Sequence, residues 1–295
     1  MDIYEQLWTA FNDIFFDEKP HKYTDSVGTN YTSVTTFVGQ FEADKDWDFI
    51  AERSAIKKLT ADGLNVDLSK IRDKKRKEEV KKLITETAQK LRAEWKHSGD
   101  IACSLGTMVH AVAELGWQNK EYYPDDREFE KYPEIKEDFA YRKQKLKKMM
   151  ADMRKIYMPI KNELIVYDRD WGLCGTIDFL AKDIRDGSYA IIDWKTNKKW
   201  EFANKYNKLK PPFDKLDDCN ISHYELQLNI YKAILEKHTD IKIKDLVLIH
   251  IPPKETGTAE VHKCQDLQKI LIPYLNKMEK DKNESRTNSI NEHAD

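Results

Sequence analysis

The chain has 295 residues, of which 35% are charged, and its 50 basic and 52 acidic residues leave a formal net charge of -2 at pH 7. This length suits one large domain or two modest ones. The balanced charge excludes binding of nucleic acid through net charge alone, so only local clusters of basic residues could bind a phosphate backbone. The sequence has no run of about 18 apolar residues that would span a membrane, and its first residues lack the order of a signal peptide. We therefore expect a soluble cytoplasmic protein with no membrane partner.

The predicted elements begin with helices and one hairpin. Residues 2–15 place apolar side chains at helical spacing. Residues 21–25 and 31–38 are strand-like and flank a loop that contains Gly28, which predicts a β-hairpin. Amphipathic helices are predicted over 72–97 and 133–158, and between them the segment 106–114 predicts a helix that begins at Thr107.

The second half of the chain predicts a small sheet. Short β-rich segments occupy residues 163–167, 175–181, 189–194 and 245–251. A capping box formed by Ser222 and Glu225 predicts a helix that continues to Leu235, and a last helix is predicted over 265–279. We therefore predict a single α/β domain over 1–280, with a helical part over 1–158 and a sheet core over 159–280. A flexible polar tail is expected over 281–295.

Four cysteines lie far apart in the sequence and include no C-x-x-C pair; they are Cys103, Cys174, Cys219 and Cys264. This spacing argues against a zinc site and against a disulfide framework. We expect free thiols.

Three charged residues are predicted at the same end of two neighbouring strands. Asp178 belongs to one strand, and Asp193 and Lys195 belong to the next. Side chains alternate along a strand, so Asp193 and Lys195 point to one face while Trp194 points to the other. Carboxylates suit Mg²⁺ or Mn²⁺, and an ammonium can orient or deprotonate a water and offset charge on a phosphate. The pattern favours phosphodiester hydrolysis, although Asp-x-Lys alone is more often a surface ion pair.

Two further pairs have the four-residue spacing that places side chains on one helix face. His110 and Glu114 form the first pair, and a neutral imidazole can complete a metal site that carboxylates leave open. The alternative is a partly buried histidine bonded to a neighbouring acid. Gln227 and Tyr231 form the second pair, whose alternative is a surface pair without a role.

Basic residues cluster in three segments. Residues 70–82 hold eight basic and three acidic side chains, and residues 142–148 hold five basic side chains and no acid. Such runs are usually solvated helix faces, but beside a nuclease site they could bind a phosphate backbone. Residues 198–206 interleave amines with Trp200 and Phe202, which could stack on unpaired bases at about 1–3 kcal/mol each. The alternative is that these two aromatic side chains pack in the core.

Taken together, the order and rough spacing of four short motifs resemble the RecB-like branch of the PD-(D/E)XK nuclease superfamily. The motifs are Gly106-xxx-His110, Gly175-xx-Asp178, Asp193-Trp-Lys195 and Gln227-xxx-Tyr231. The hairpin that ends in Ser33-Val-Thr-Thr is similar to the N-terminal part of stand-alone members, among them phage exonucleases and the mitochondrial genome-maintenance exonuclease. The resemblance covers residues 15–250. It implies a restriction-endonuclease-like core, in which helices flank a small mixed sheet, with N-terminal helical additions.

The resemblance also implies roles for individual residues. The implied ligands of Mg²⁺ or Mn²⁺ are His110, Asp178, Asp193 and the backbone carbonyl of Trp194. Lys195 would position the attacking water. The implied supporting acids are Glu114 and Glu163, and the implied DNA-binding residues are Gln227, Tyr231, Lys198, Lys199 and Trp200. Relatives with an iron–sulfur cluster use closely spaced C-terminal cysteines, which this chain lacks, so we expect no cluster.

These features predict a metal-dependent DNA exonuclease that prefers single-stranded ends and acts in replication, recombination or repair. The alternatives are a structure-specific flap endonuclease, an inactive nucleic-acid-binding partner of a recombinase, and a hydrolase of small phosphoesters. The chain has no Gly-x-x-x-x-Gly-Lys-Ser/Thr loop, so any helicase would be a partner. The stand-alone layout and the Lys- and Asn-rich composition favour a phage or plasmid enzyme in the cytoplasm of a bacterial or phage-infected cell.

Overall fold

The computed structural model describes residues 1–17, 22–255 and 257–292, with side chains described as far as residue 284. In chain order, the first described elements are α1 (Ile3–Phe11), β1 (Phe15–Asp17), β2 (Lys22–Thr24), β3 (Asn30–Ser33), α2 (Val34–Gly39), α3 (Trp47–Ala61), α4 (Lys74–Trp117), α5 (Asp126–Lys131) and α6 (Ile135–Met153). They are followed by β4 (Tyr157–Asp168), β5 (Leu173–Asp183), β6 (Tyr189–Lys195), α7 (Asn220–His238), β7 (Ile243–His250), β8 (Glu260–Lys263) and α8 (Gln268–Glu292).

The chain divides into two compact units. The first comprises Met1–Ala43 and Gly106–Asp295, and the second comprises Asp44–Leu105. In the second unit, α3 and the first part of α4 pack through a small apolar cluster that includes Ala55 and Ile84. The described strands belong to the first unit.

The first unit is built on one mixed sheet, which confirms the predicted α/β fold class. The strand order is β1-β2-β3-β5-β6-β7-β8, and β4 pairs separately with β5. Strand β4 pairs with one edge of β5 along its whole length, from Leu173 to Asp183. The other edge of β5 therefore pairs with β3 at one end and with β6 at the other. Strands β6 and β7 are parallel, and α7 lies between them in the chain, as a parallel pair requires.

Two acidic residues lie where the ladder between β5 and β6 ends. The last register pair is Phe179 with Ile192, so the next residues in the same register are Asp178 and Asp193. Both strands pack against a continuous apolar core that includes Ile177. Helices α2, α7 and α8 also contribute side chains to this core. A fully buried aliphatic side chain stabilises the fold by about 1.5–3 kcal/mol. The ends of β5 and β6 are therefore supported by a packed apolar core.

The predicted hairpin is confirmed only in part. Strands β2 and β3 pair in antiparallel register, but residues 34–38 form helix α2 rather than a strand. Ser33 caps this helix because its Oγ accepts a hydrogen bond from the backbone N–H of Thr36 at 3.0 Å. The cap and the burial of Phe37 outweigh the strand preference of a β-branched segment. His21, at the start of the predicted hairpin, lies outside the described residues.

Helix α4 is continuous, where we expected two helices over 72–97 and 106–114. The segment between them contains Gly99 and no proline, and a glycine inside a helix costs only about 1 kcal/mol relative to alanine. Helix α6 ends at Met153, earlier than the predicted residue 158, and the chain then enters β4.

Two expectations about helix ends are corrected. Helix α7 begins at Asn220, and its N-cap Cys219 makes no side-chain capping bond, so the predicted capping box of Ser222 is wrong. Glu225 instead accepts a hydrogen bond from His262 at 2.8 Å. Helix α8 continues to Glu292, beyond the predicted end at residue 279. The flexibility expected over 281–295 stays a prediction. In the part of the chain that the structure describes, no helix has the length and hydropathy needed to cross a membrane.

Candidate active site

The two acids at the end of the β5–β6 ladder form the centre of the candidate site. Asp178 is 9% exposed and Asp193 is 2% exposed. The Oδ2 atom of Asp178 accepts a hydrogen bond from the backbone N–H of Trp194 at 2.9 Å. This bond fixes the acid of one strand against the backbone of the other.

Lys195 lies beside these acids, as its place on β6 predicts. Its Nζ atom is 2.6 Å from Asp193 Oδ2, and it donates a hydrogen bond to Gln227 Oε1 at 3.2 Å. Nζ also lies 4.4 Å from the centre of the Tyr224 ring. Burial alone would lower the pKa of Lys195, but the charges of Asp193 and Asp178 outweigh it and raise that pKa. Lys195 therefore carries its proton at neutral pH.

Gly175 and Tyr231 explain how α7 comes close to β5. A Cβ atom added at Gly175 would lie 2.6 Å from Tyr231 Cε1, which is closer than two carbon atoms can approach. Tyr231 is 3% exposed, and its hydroxyl accepts a hydrogen bond from Gln227 Nε2 at 3.0 Å. Burial raises the pKa of Tyr231 well above its usual range. Tyr231 thus supports Gln227 through this hydrogen bond, and the expected contact of Tyr231 with the DNA backbone stays a prediction.

His110 reaches the same centre from helix α4. Its Nε2 atom lies 3.0 Å from the carbonyl oxygen of Trp194, and its Nδ1 atom lies 3.4 Å from Asp178 Oδ2. Burial alone would lower the pKa of His110, but the charges of Asp178 and Asp193 outweigh it and raise that pKa to about 9. The imidazole and the Trp194 carbonyl, both expected at a metal, therefore lie next to each other and next to an acid.

Glu163 supplies the third carboxylate of the site and has an unusual backbone conformation. It lies on β4 between the register pairs Asn162–Phe179 and Leu164–Ile177, so it faces Asp178. Its φ angle is 47°, in the left-handed region, which costs a non-glycine residue about 1–3 kcal/mol. Burial and the charge of Asp178 raise the pKa of Glu163 to about 8. The strained backbone therefore places a carboxylate beside other carboxylates.

The acids of the site repel one another. Asp193 has its pKa raised to about 6 by burial and by the charge of Asp178. The pKa of Asp178 itself is lowered, because His110 and Lys195 outweigh the effect of its burial. Three carboxylates thus share two basic side chains in a confined space, which is an arrangement suited to an additional cation.

The donor atoms match the preferences of a hard divalent cation. Ligand atoms of His110, Glu163 and Asp178 all lie within 4.8 Å of one another. Carboxylate and carbonyl oxygens suit Mg²⁺ or Mn²⁺, and an imidazole is compatible with Mn²⁺. A cleft of about 570 Å³ opens onto this group, and its lining includes Gly106, Glu114 and Glu163.

The model of the PD-(D/E)XK nuclease superfamily matches residues 81–289 of the chain. The chain belongs to the PD-(D/E)XK nuclease superfamily. Its members are nucleases that generally use divalent metals such as Mg²⁺ or Mn²⁺ and act on DNA, and the predicted restriction-endonuclease-like core is confirmed at this level. The comparison with curated proteins found no match. The RecB-like branch and the phage-type exonuclease stay predictions.

Within this superfamily site, the predicted DNA-binding residues take different positions. Lys198 and Lys199 are exposed just after β6. Trp200 instead stacks on His250, with ring centres 4.4 Å apart and planes 3° from parallel. It also packs against the hydrophobic core. Trp200 is therefore half-buried in this packing, and its contact with DNA stays a prediction.

Two residues of the site escaped the sequence analysis. Tyr224 lies over Lys195, and its hydroxyl accepts a hydrogen bond from Asn197 Nδ2 at 2.7 Å; its position one turn before Gln227 is the only signal in the sequence. Arg142 belongs to the basic run 142–148 but is buried, where it pairs with Asp138 at 2.9 Å and donates to the carbonyl oxygen of Thr196 at 2.7 Å. It therefore holds the end of β6 rather than a phosphate backbone.

None of the four cysteines forms a disulfide bond in the part of the chain that the structure describes. Cys264 nevertheless lies in a group with Glu225 and His262 whose ligand atoms are within 4.8 Å of one another, which the wide cysteine spacing did not predict. The Glu225 carboxylate already accepts hydrogen bonds from His262 at 2.8 Å and from Gln265 Nε2 at 2.6 Å. These bonds explain the group as a connection between α7 and the segment after β8.

Proposed function

We propose that this protein is a divalent-metal-dependent DNA exonuclease that degrades single-stranded ends in replication, recombination or repair. The observation that carries the proposal is the convergence of Asp178, Asp193 and Lys195 where the β5–β6 ladder ends, in a chain of a nuclease superfamily. Cys264 and the other cysteines are far apart in the sequence, so the proposal includes no iron–sulfur cluster.

The residues that would hold the cation are Asp178, His110 and the carbonyl of Trp194, with Glu163 beside them. Asp193 would join them from the end of β6, where Lys195 now lies 2.6 Å from its Oδ2 atom. When bound, Mg²⁺ or Mn²⁺ would supply positive charge that polarises the scissile phosphate. Glu114 lines the same cleft and its charge acts on Glu163. We assign Glu114 a supporting role.

Lys195 would orient the attacking water. Because its pKa is raised, Lys195 enters the reaction as an ammonium, which donates hydrogen bonds and offsets charge that develops on the phosphate oxygens. Gln227 and Tyr224 restrict where this ammonium can point. A fixed donor costs no reorganisation during the reaction, and removing one such donor typically lowers the rate by about 100- to 1,000-fold.

Single-stranded ends are the proposed substrate because the acids are almost fully buried. A flexible strand can bend a phosphate toward them more easily than a stiff duplex can. Lys198 and Lys199 are exposed beyond the end of β6 and could contact neighbouring phosphates.

The test compares linear and circular single-stranded DNA with Mg²⁺ or Mn²⁺. We expect the intact protein to degrade the linear DNA alone, and we expect Lys195→Ala to abolish this activity. The matched control is Lys280→Ala, which removes a side chain that is 76% exposed on α8, and it should leave the activity unchanged.

Other outcomes would identify a different function. Cutting of the circle would indicate a structure-specific endonuclease, which flap substrates would then test. Binding of DNA without cleavage by either protein would indicate an inactive module, for which a recombinase or a helicase is the partner to test.

A further inference from the structure

A second groove lies next to the catalytic cleft, between α1 and β4. Its volume is about 290 Å³. Leu7, Phe11 and Leu164 line it, and all three belong to the hydrophobic core. The groove therefore has an apolar floor that is held by the fold.

Two large aromatic residues line this groove and remain in solvent. Tyr4 is 56% exposed and Trp8 is 71% exposed. They are four residues apart on α1, so their side chains are neighbours on one face of the helix. Leu7 and Phe11 already anchor α1 to the core, so the fold does not require the two exposed rings.

The groove shares one wall residue with the catalytic cleft. Glu163 lines both, because β4 forms a wall of each. Lys161, two residues earlier on β4, is exposed and also lines the groove. The groove thus combines two exposed aromatic rings and one cation, and it shares Glu163 with the cleft of the candidate catalytic group.

We propose that this groove binds unpaired bases of the DNA strand whose phosphate lies in the catalytic cleft. The bases would stack on Trp8 and Tyr4, and Lys161 would contact a phosphate between them. Only unpaired bases expose their faces to such stacking, so the groove would select single strands over duplex. This inference rests on the proposed nuclease function, and it adds the residues that would recognise the single strand.

The test measures DNA affinity in a protein that cannot cut. Full-length Lys195→Ala is compared with the same protein carrying Trp8→Ala, by fluorescence anisotropy with labelled oligo(dT) and with a duplex of equal length. Loss of one stacked base should weaken binding of oligo(dT) by about 5- to 150-fold. Affinity for the duplex should not change. Trp8→Phe should retain much of the affinity that Trp8→Leu loses, because stacking needs a ring rather than apolar area.

A second measurement locates the base. In oligonucleotides with one abasic position each, the Lys195→Ala protein should lose affinity at one or two positions, and adding Trp8→Ala should remove this sensitivity. Tyr4→Ala provides an independent variant, and Tyr123→Ala is the control, since Tyr123 is 79% exposed and does not line the groove.

Several outcomes would overturn the inference. If oligo(dT) binds equally well after Trp8→Ala, the groove does not bind bases, although the nuclease function stands. Equal losses for single strand and duplex would exclude stacking. A change from dimer to monomer on sedimentation after Trp8→Ala would show that a second copy of the chain covers the groove. If the protein neither binds nor cuts DNA, the proposed function fails and the groove inference fails with it.

Discussion

At the scale of residues, two carboxyl groups and one imidazole of the site have raised pKa values. A bound cation would displace the protons that these groups hold. The pKa of Asp193 is raised to about 6, that of Glu163 to about 8 and that of His110 to about 9. A metal binds the ionised carboxylate and the neutral imidazole. Metal and protons therefore compete for the same atoms.

The affinity for Mn²⁺ should rise with pH between about 6 and 9, the range of these pKa values. Below this range the ligands hold protons that must leave before the cation binds, and above it they are free to bind. At pH 7 binding should release about one to two protons per metal ion. Isothermal titration calorimetry in two buffers of different ionisation enthalpy measures this number directly.

The matched variant for this prediction is His110→Asn. It keeps a polar side chain without a titrating ring, so proton release at pH 7 should fall by about one. An Mn²⁺ affinity that stays constant across the same pH range, without proton release, would contradict the assignment of these ligands.

At the scale of elements, the close approach of α7 to β5 positions Gln227 against Lys195. Gly175→Ala would place a methyl group within 2.6 Å of Tyr231 Cε1. Overpacking of this kind destabilises a protein by about 1–3 kcal/mol. Displacement of Tyr231 should also shift Gln227, so we expect a lower cleavage rate together with a lower midpoint of urea unfolding.

Gly39→Ala is the control for this substitution. Gly39 is the last residue of α2 and has no neighbour within 4 Å of an added Cβ atom. Alanine there should be neutral or stabilise by up to about 1 kcal/mol. The account of the α7–β5 contact would be wrong if Gly175→Ala behaved like this control.

Elements with a strong local pattern were predictable from the sequence. The short β-rich segments 175–181 and 189–194, bounded by turn residues, predicted β5 and β6. The alternation of side chains along any strand placed Asp193 and Lys195 on one face. Helix α2 was missed because its β-branched residues favour a strand, whereas burial of Val34 and Phe37 determines the outcome. Local preference fails where tertiary packing is stronger.

The sequence predicted the residue types of the candidate site, but it did not predict their backbone conformations, their burial or their contacts with distant residues. The left-handed backbone of Glu163 leaves no trace in the sequence, because glutamate is not a residue that favours it. The burial of Arg142 depends on carbonyl groups at the ends of β6 and β7. The stack of Trp200 on His250 joins residues about fifty positions apart, so no local pattern could predict it.

At the scale of the whole molecule, the proposed chemistry belongs to one unit. Every residue that we assign to the site lies in Gly106–Asp295. The groove between α1 and β4 also includes residues of α1, from the segment Met1–Ala43 of the same unit. The basic run 70–82 belongs to Asp44–Leu105. Since the net charge is only -2, the proposed DNA binding would depend on local groups such as Lys161, Lys198 and Lys199.

The most direct test of the central claim is single-turnover cleavage of end-labelled linear single-stranded DNA by the intact protein and by Asp193→Asn. The substitution keeps the size of the side chain and removes the charge that would hold a cation. We predict cleavage with Mg²⁺ or Mn²⁺, none with EDTA, and a rate at least about 100-fold lower for Asp193→Asn, with DNA affinity retained. Equal rates for the two proteins, or cleavage that persists in EDTA, would show that the acids at the end of the β5–β6 ladder are not a metal-dependent nuclease site.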